Sequence, residues 1–254
     1  MNQLRKTRPD PQRGHFRRTP RHSIRHSDAG ARAGAGPVVT GRGYRRPVEH
    51  PPQRRRLAAL GGVVGPAVFV TAWALLGRRL PGYSPVDDAI SRLAAGGAPD
   101  RYVMTAGLVA LGTGLPLYGS ALRATLSGPA WACATATGLA TLGVASFPLG
   151  SPTPDRIHGV FAGIGYATLA ATPLAAAAPL ARSGRTGWAR LSAAAGLVSG
   201  ASLLATVAGP GSGLFQRLGL TAGHAWVVAS ALDILRTTGQ GATRAGRQAG
   251  GRRH

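Results

Sequence analysis

The chain reads as an all-α protein: an integral membrane bundle of six transmembrane helices with disordered basic N- and C-terminal tails. Three observations carry that reading. Six windows of about twenty mostly apolar residues follow one another, each long enough to cross a bilayer. A net charge of +22 is concentrated at the two ends. The single cysteine, Cys133, lies in an apolar run, so neither a disulfide framework nor a cysteine-based metal site is expected.

The N-terminal region comes first. Residues 1–56 hold 15 Lys and Arg against Asp10, Asp28 and Glu49, and residues 236–254 hold five Arg and no acid, so the ends carry 17 of the 22 net charges. Few aliphatic residues and no sustained periodicity leave residues 1–56 too little apolar surface to offset their ordering entropy, which predicts a disordered Arg-rich cytoplasmic tail. Arg45-Arg46 and Arg54-Arg55-Arg56, just ahead of the first apolar window, suit the anionic headgroups of a lipid surface. Membrane lipids are therefore the expected partners, with anionic-lipid contact by the tail and no specific nucleic acid. No residue pattern names a protein partner. A secretory signal peptide is not expected, because the polar tail precedes the first apolar run.

The windows are about 57–76, 103–122, 130–149, 157–181, 189–208 and 215–235, making residues 57–236 a six-helix transmembrane domain and 237–254 a second disordered basic tail. Counting Lys and Arg on alternate sides puts 24 with the termini and six opposite, so both termini are expected in the cytoplasm and the segment between the first two windows outside. A composition of Ala, Gly and Arg with one Lys points to a GC-rich coding sequence, which fits a bacterial inner (plasma) membrane. The helices are rich in small residues, and pairs at Gly159/Gly163, Ser192/Gly196/Gly200 and Gly219/Gly223 predict close helix packing.

Between the first two windows lies the one long polar stretch, Pro81 to Arg101. Ser84 is a helix cap, Pro85 suits the first helical position and Asp87 completes a capping box, so a short α-helix is predicted from Pro85 to about Ala95. Its apolar face is Val86, Ala89, Ile90, Leu93 and Ala94, its polar face Asp87, Asp88, Ser91 and Arg92, and Gly96-Gly97 ends it.

Polar residues at membrane depth are costly, and here they gather at one side: Asp155, Arg156 and His158 where the fourth span begins, then Gln216, Arg217, Thr221 and His224 on the sixth. Arg217, Thr221 and His224 are spaced i, i+4, i+7 and are expected on one helical face. With Asp87, Asp88, Ser91 and Arg92 they predict an outward-facing pocket of mixed charge. No metal site and no cofactor are expected: there is no H-E-x-x-H, no i, i+4 His pair and no Cys cluster. A Ser/His/Asp set of Ser91, His158 and Asp155 is conceivable, although no nucleophile elbow surrounds Ser91.

Several segments resemble those of the prokaryotic six-span membrane proteins of domain-of-unknown-function family 998. They are GGVVGPAVF from Gly61 to Phe69, PGYSPVDDAISRLAAGGAP from Pro81 to Pro99, FPLGSPTPD followed by IHGVFAG from Ile157 to Gly163, and GLFQRLG from Gly213 to Gly219. The resemblance covers about residues 57–236. It implies an integral membrane protein with no established activity, and a shared outer site at Tyr83, Ser84, Ile90, Ser91, Leu93, His158 and Arg217. The expected function is a multi-pass plasma-membrane protein, not an enzyme, whose outward polar pocket binds a lipid headgroup or a small polar ligand. The alternatives are an outward-facing lipid hydrolase using His158 and His224, and a small-molecule transporter.

Overall fold

A computed structural model of the chain describes the backbone of residues 52–207 and 209–250, with side chains over 53–207 and 209–239. The expected N-terminal tail lies almost wholly outside the described residues. Six α-helices follow in order: α1 (Pro52–Leu76), α2 (Arg101–Arg123), α3 (Ala130–Ser146), α4 (Pro152–Arg182), α5 (Thr186–Ala205) and α6 (Ser212–Gly250). Five of them, all but α3, are long and apolar enough to cross a membrane. The 17 residues of α3 rise only about 25 Å. The bundle is that of a multi-pass membrane protein, with Val160, Leu197 and Leu204 exposed on its outer surface.

Each helix packs on its neighbours in sequence, and α6 closes the ring against α1. Tyr118, Met104, Leu115, Leu169 and Val227 fill the centre. Glycine lets two of these contacts close. A Cβ on Gly114 would stand 2.6 Å from the Gly61 carbonyl oxygen, and one on Gly138 would stand 2.7 Å from that of Gly112, so α1–α2 and α2–α3 pack backbone to backbone. Of the predicted small-residue pairs, Gly196, Gly219 and Gly223 do lie against neighbouring helices. A Cβ on Gly159 or Gly163 would meet nothing, so that pair makes no helix contact. Helix α6 runs past the end expected near residue 235: nothing in residues 237–250 breaks it, and their backbone is helical. Residues 251–254 lie outside the described residues.

The segment between α1 and α2 is the element that differs most from expectation. Pro85–Asp88 forms a turn, and only Ile90–Ala94 is helical, as a 3₁₀ turn. The predicted α-helix over 85–95 does not form. The cap signal itself is real: the Ser84 hydroxyl oxygen accepts the Asp87 N–H at 3.2 Å, and Ser84 Oγ lies 2.9 Å from the Asp87 carboxylate. What prevents the helix is competition for its carbonyls. An α-helix would give the Pro85, Val86, Asp87 and Asp88 carbonyls to N–H groups four residues on. Instead Arg217 Nη1 takes those of Pro85 (2.7 Å) and Asp88 (3.0 Å), the Leu214 N–H takes that of Val86 (2.8 Å) and the Ser212 hydroxyl that of Asp87 (2.9 Å). The start of α6 supplies every one of those donors.

Candidate functional site

Around Ser91 the site is built by two anchors that hold residues 81–100 across one end of the bundle. The first is α6. Gly213 lets its first turn lie on the segment, since a Cβ there would come within 2.5 Å of the Asp88 carbonyl oxygen. The Gly211 N–H donates to the Asp87 carboxylate at 3.1 Å, placing a negative charge at the positive end of the helix. Gln216 Oε1 accepts the Ile90 N–H at 2.8 Å, while its Nε2 donates to the Tyr166 hydroxyl of α4. Arg217 is buried. Beyond the carbonyls already named, its Nη2 donates to the Tyr83 hydroxyl and its guanidinium stands 5.4 Å from the Trp73 ring centre.

The second anchor is the α3–α4 corner. His158 on α4 reaches the Phe147 carbonyl with Nδ1 at 2.8 Å and Ser91 Oγ with Nε2 at 2.9 Å. A carbonyl only accepts, so Nδ1 carries the proton, and in the neutral ring Nε2 accepts the Ser91 hydroxyl proton. The Gly96 N–H donates to the Leu149 carbonyl at 2.9 Å beside it. Asp155 is no member of this set. It caps the start of α4, accepting the N–H groups of Gly150 (2.8 Å) and Ser151 (3.3 Å).

Electrostatics in the segment are local. The Ser84 N–H at 2.8 Å holds the Asp88 carboxyl below the usual carboxylate range, and Arg92, which pairs with it, adds to the effect. Burial pushes the Tyr83 phenol up despite the Arg217 guanidinium beside it. It stays a neutral donor, and the Ala89 carbonyl lies 3.3 Å from its oxygen.

Beneath the segment, between α1, α2, α3, α4 and α6, is a cavity of about 60 Å³. Its wall is mostly apolar, with Phe69, Met104, Leu111 and Phe161, and a few polar side chains reach it, Ser91, Tyr166, Gln216 and His224 among them. His224 packs edge-on to Phe69, with ring centroids 5.7 Å apart, and its buried Nδ1 has no hydrogen-bond partner.

The structure thus brings Tyr83, Ser84, Asp87, Asp88, Arg92 and Arg217 into one hydrogen-bonded assembly, pairs Ser91 with His158 at a second anchor, places His224 deeper on the cavity wall, and leaves Asp155 at a helix cap. Thr221 is exposed, so the face expected from its spacing with Arg217 and His224 is instead Gln216, Leu220 and His224 along the cavity. Sequence reasoning placed Gln216 in the polar cluster without giving it a site role, and passed over Tyr166. A glutamine beside an arginine at the start of an apolar window was the available signal. Among the described residues, no three His, Cys, Asp or Glu come together as a metal site.

A family model described as "Protein of unknown function (DUF998)" matches residues 63–233, which take in every part of this site. No curated protein and no solved structure matches the chain. With two thirds of its length matched, including both anchors and the cavity, the chain belongs to the DUF998 family of proteins of unknown function.

Proposed function

We propose that this is a non-enzymatic membrane protein that holds one small amphiphile at the Ser91 end of the bundle, with a hydrocarbon chain end in the cavity and its polar group near Ser91 and Gln216. The cavity carries this reading: an apolar wall with few convergent polar groups is the usual form of a ligand site. Its size sets the ligand class. At about 60 Å³ it is under half of the ~150 Å³ that accepts a benzene ring, so it takes the end of a chain and not a whole headgroup. The charged groups once expected to face a polar ligand are engaged within the segment and its junction with α6, Asp88 with Arg92, Asp87 with the Gly211 N–H and Arg217 with backbone carbonyls, which moves the recognition of charge away from Asp87, Asp88 and Arg217. In a plasma membrane with both termini cytoplasmic this end faces outward. The test is photolabelling with an alkyl chain carrying a terminal diazirine. Ala162 is part of the cavity wall, so labelled peptides from that wall, lost in Ala162→Leu, are expected, whereas labelling confined to the outer surface would refute the reading.

One observation favours a second reading, an ester hydrolase. Ser91 Oγ and His158 Nε2 are 2.9 Å apart, and the ring is oriented by a third group, the Phe147 carbonyl. Here His158 takes the hydroxyl proton as Ser91 Oγ attacks an ester carbonyl, returns it to the departing alcohol, and then activates water to release the acid from Ser91. This keeps Ser91 and His158 of the Ser91, His158 and Asp155 set considered from the sequence, with the Phe147 carbonyl in place of Asp155, and differs from the pairing of His158 with His224. A fluorophosphonate probe that labels the parent and not Ser91→Ala supports it. An unlabelled parent, with no release of acid from lipid esters, removes it.

A further inference from the structure

The opposite end of the bundle, where α1 begins and α2 ends, holds a second and larger cavity of about 330 Å³, lined by Arg55, Leu126, Arg185, Trp188, Trp226 and Asp233 among others. That volume lies in the range of small-molecule sites. Arg55 also borders a hollow of about 230 Å³ beside it, together with Arg54 and Ser120.

Charge in this cavity is unbalanced. Asp233 is matched, its carboxylate accepting from Arg185 Nη2 at 2.8 Å, and the Arg185 guanidinium stands 5.3 Å from the Trp188 ring centre. The described ion pairs include none for Arg55, and its buried Nε has no hydrogen-bond partner. Arg55 is half-buried, and a donor atom that is itself buried without an acceptor is costly, so an anion bound at this wall would supply the bond its Nε does not make. A guanidinium fits phosphate oxygens better than any other side chain does, and tryptophan at a helix end suits the depth of lipid headgroups.

We propose that this cavity binds a phosphate ester, carried by an anionic lipid headgroup or free in solution, with Arg55 as the principal contact and Arg54 and Arg185 flanking it. This site is separate from the one beneath Ser91 and does not depend on it.

The test measures thermal stability of the purified full chain in detergent during titration with phosphatidylglycerol, phosphatidylcholine or inorganic phosphate. Parent, Arg55→Gln and Arg123→Gln are compared, since Arg123 lies over Trp131 outside the cavity. Phosphatidylglycerol is expected to raise the parent's Tm where phosphatidylcholine does not. Half-saturation should move at least about tenfold in Arg55→Gln and stay in place in Arg123→Gln. An equal Arg55-dependent shift with inorganic phosphate assigns the free ion, and a shift with the lipid alone assigns the headgroup. A response that is the same for both lipids and absent with phosphate, or one that survives Arg55→Gln, overturns the proposal. Should Arg55→Gln not fold, Arg55→Lys carries the test. It keeps the charge and loses the planar fork, so several-fold weaker binding is expected and unchanged affinity overturns the proposal.

Discussion

Replacing Arg217 with alanine removes the side chain that joins α6 to three points of the 81–100 segment: the Pro85 and Asp88 carbonyls at 2.7 and 3.0 Å and the Tyr83 hydroxyl. A hydrogen bond from a charged donor contributes about 1.5–3 kcal/mol, and stacking on Trp73 adds about 0.5–1 kcal/mol. Two effects reduce the sum. The freed carbonyls lie at the end of the bundle, where water can reach them, and removing a buried guanidinium whose Nε has no partner relieves a cost. The expected net loss is about 2–4 kcal/mol. It is read by reversible denaturant unfolding in mixed micelles, and locally by amide exchange. The Ile90 and Leu214 N–H groups, which bond across the junction to Gln216 and Val86, should exchange about 30- to 1,000-fold faster. Arg217→Met keeps the apolar stem and isolates the hydrogen bonds. Stability within about 0.5 kcal/mol of the parent, with unchanged protection at both amides, would refute the clamp.

Other consequences are independent of it. Gly114→Ala drives a Cβ into the Gly61 carbonyl, and a loss of about 1–3 kcal/mol is expected, whereas Gly163→Ala, which meets nothing, should be close to neutral; unfolding of the two variants side by side decides this. Asp88 has its carboxyl held below the ordinary value of 3.8, so its contribution to stability is full above about pH 4 and is lost as pH falls through the lower folded value. Asp88→Asn should remove that part of the acid dependence, and a parent and variant with parallel pH profiles below pH 4 would contradict it. Tyr118→Phe leaves Ser230 without the partner it meets at 2.6 Å, though Ser230 keeps its bond to the Trp226 carbonyl, so a loss of only about 0.6–1.5 kcal/mol is expected on unfolding.

The helices were legible because an apolar run of membrane length has few alternatives, and the importance of residues 81–101 was legible because that stretch is the long polar interruption among such runs. Its conformation was not. Ser84, Pro85 and Asp87 do form the local cap that their order predicts, but the carbonyls that would continue a helix are claimed by Ser212, Leu214 and Arg217, some 130 residues away. Local signals cannot record a competitor so distant in sequence. The same limit hid the orientation of His158, whose partner at Nδ1 is a backbone carbonyl with no side-chain signature. Spacing alone also misplaced Thr221, because i, i+4 and i+7 define a face without saying which neighbour covers it. Gly159 and Gly163 have the spacing of a packing motif but no helix opposite them. Close approach also occurs at Gly61, Gly114 and Gly138, outside the predicted pairs.

The most direct test of the central claim, that the clamped segment closes a cavity occupied by a chain end, is native mass spectrometry of the protein extracted with its surrounding lipids. One retained amphiphile in the parent, lost when Ala162→Leu fills the cavity and weakened when Arg217→Ala loosens the segment, is the predicted result. A parent that emerges bare, or one whose bound lipid is unaffected by Ala162→Leu, would contradict it.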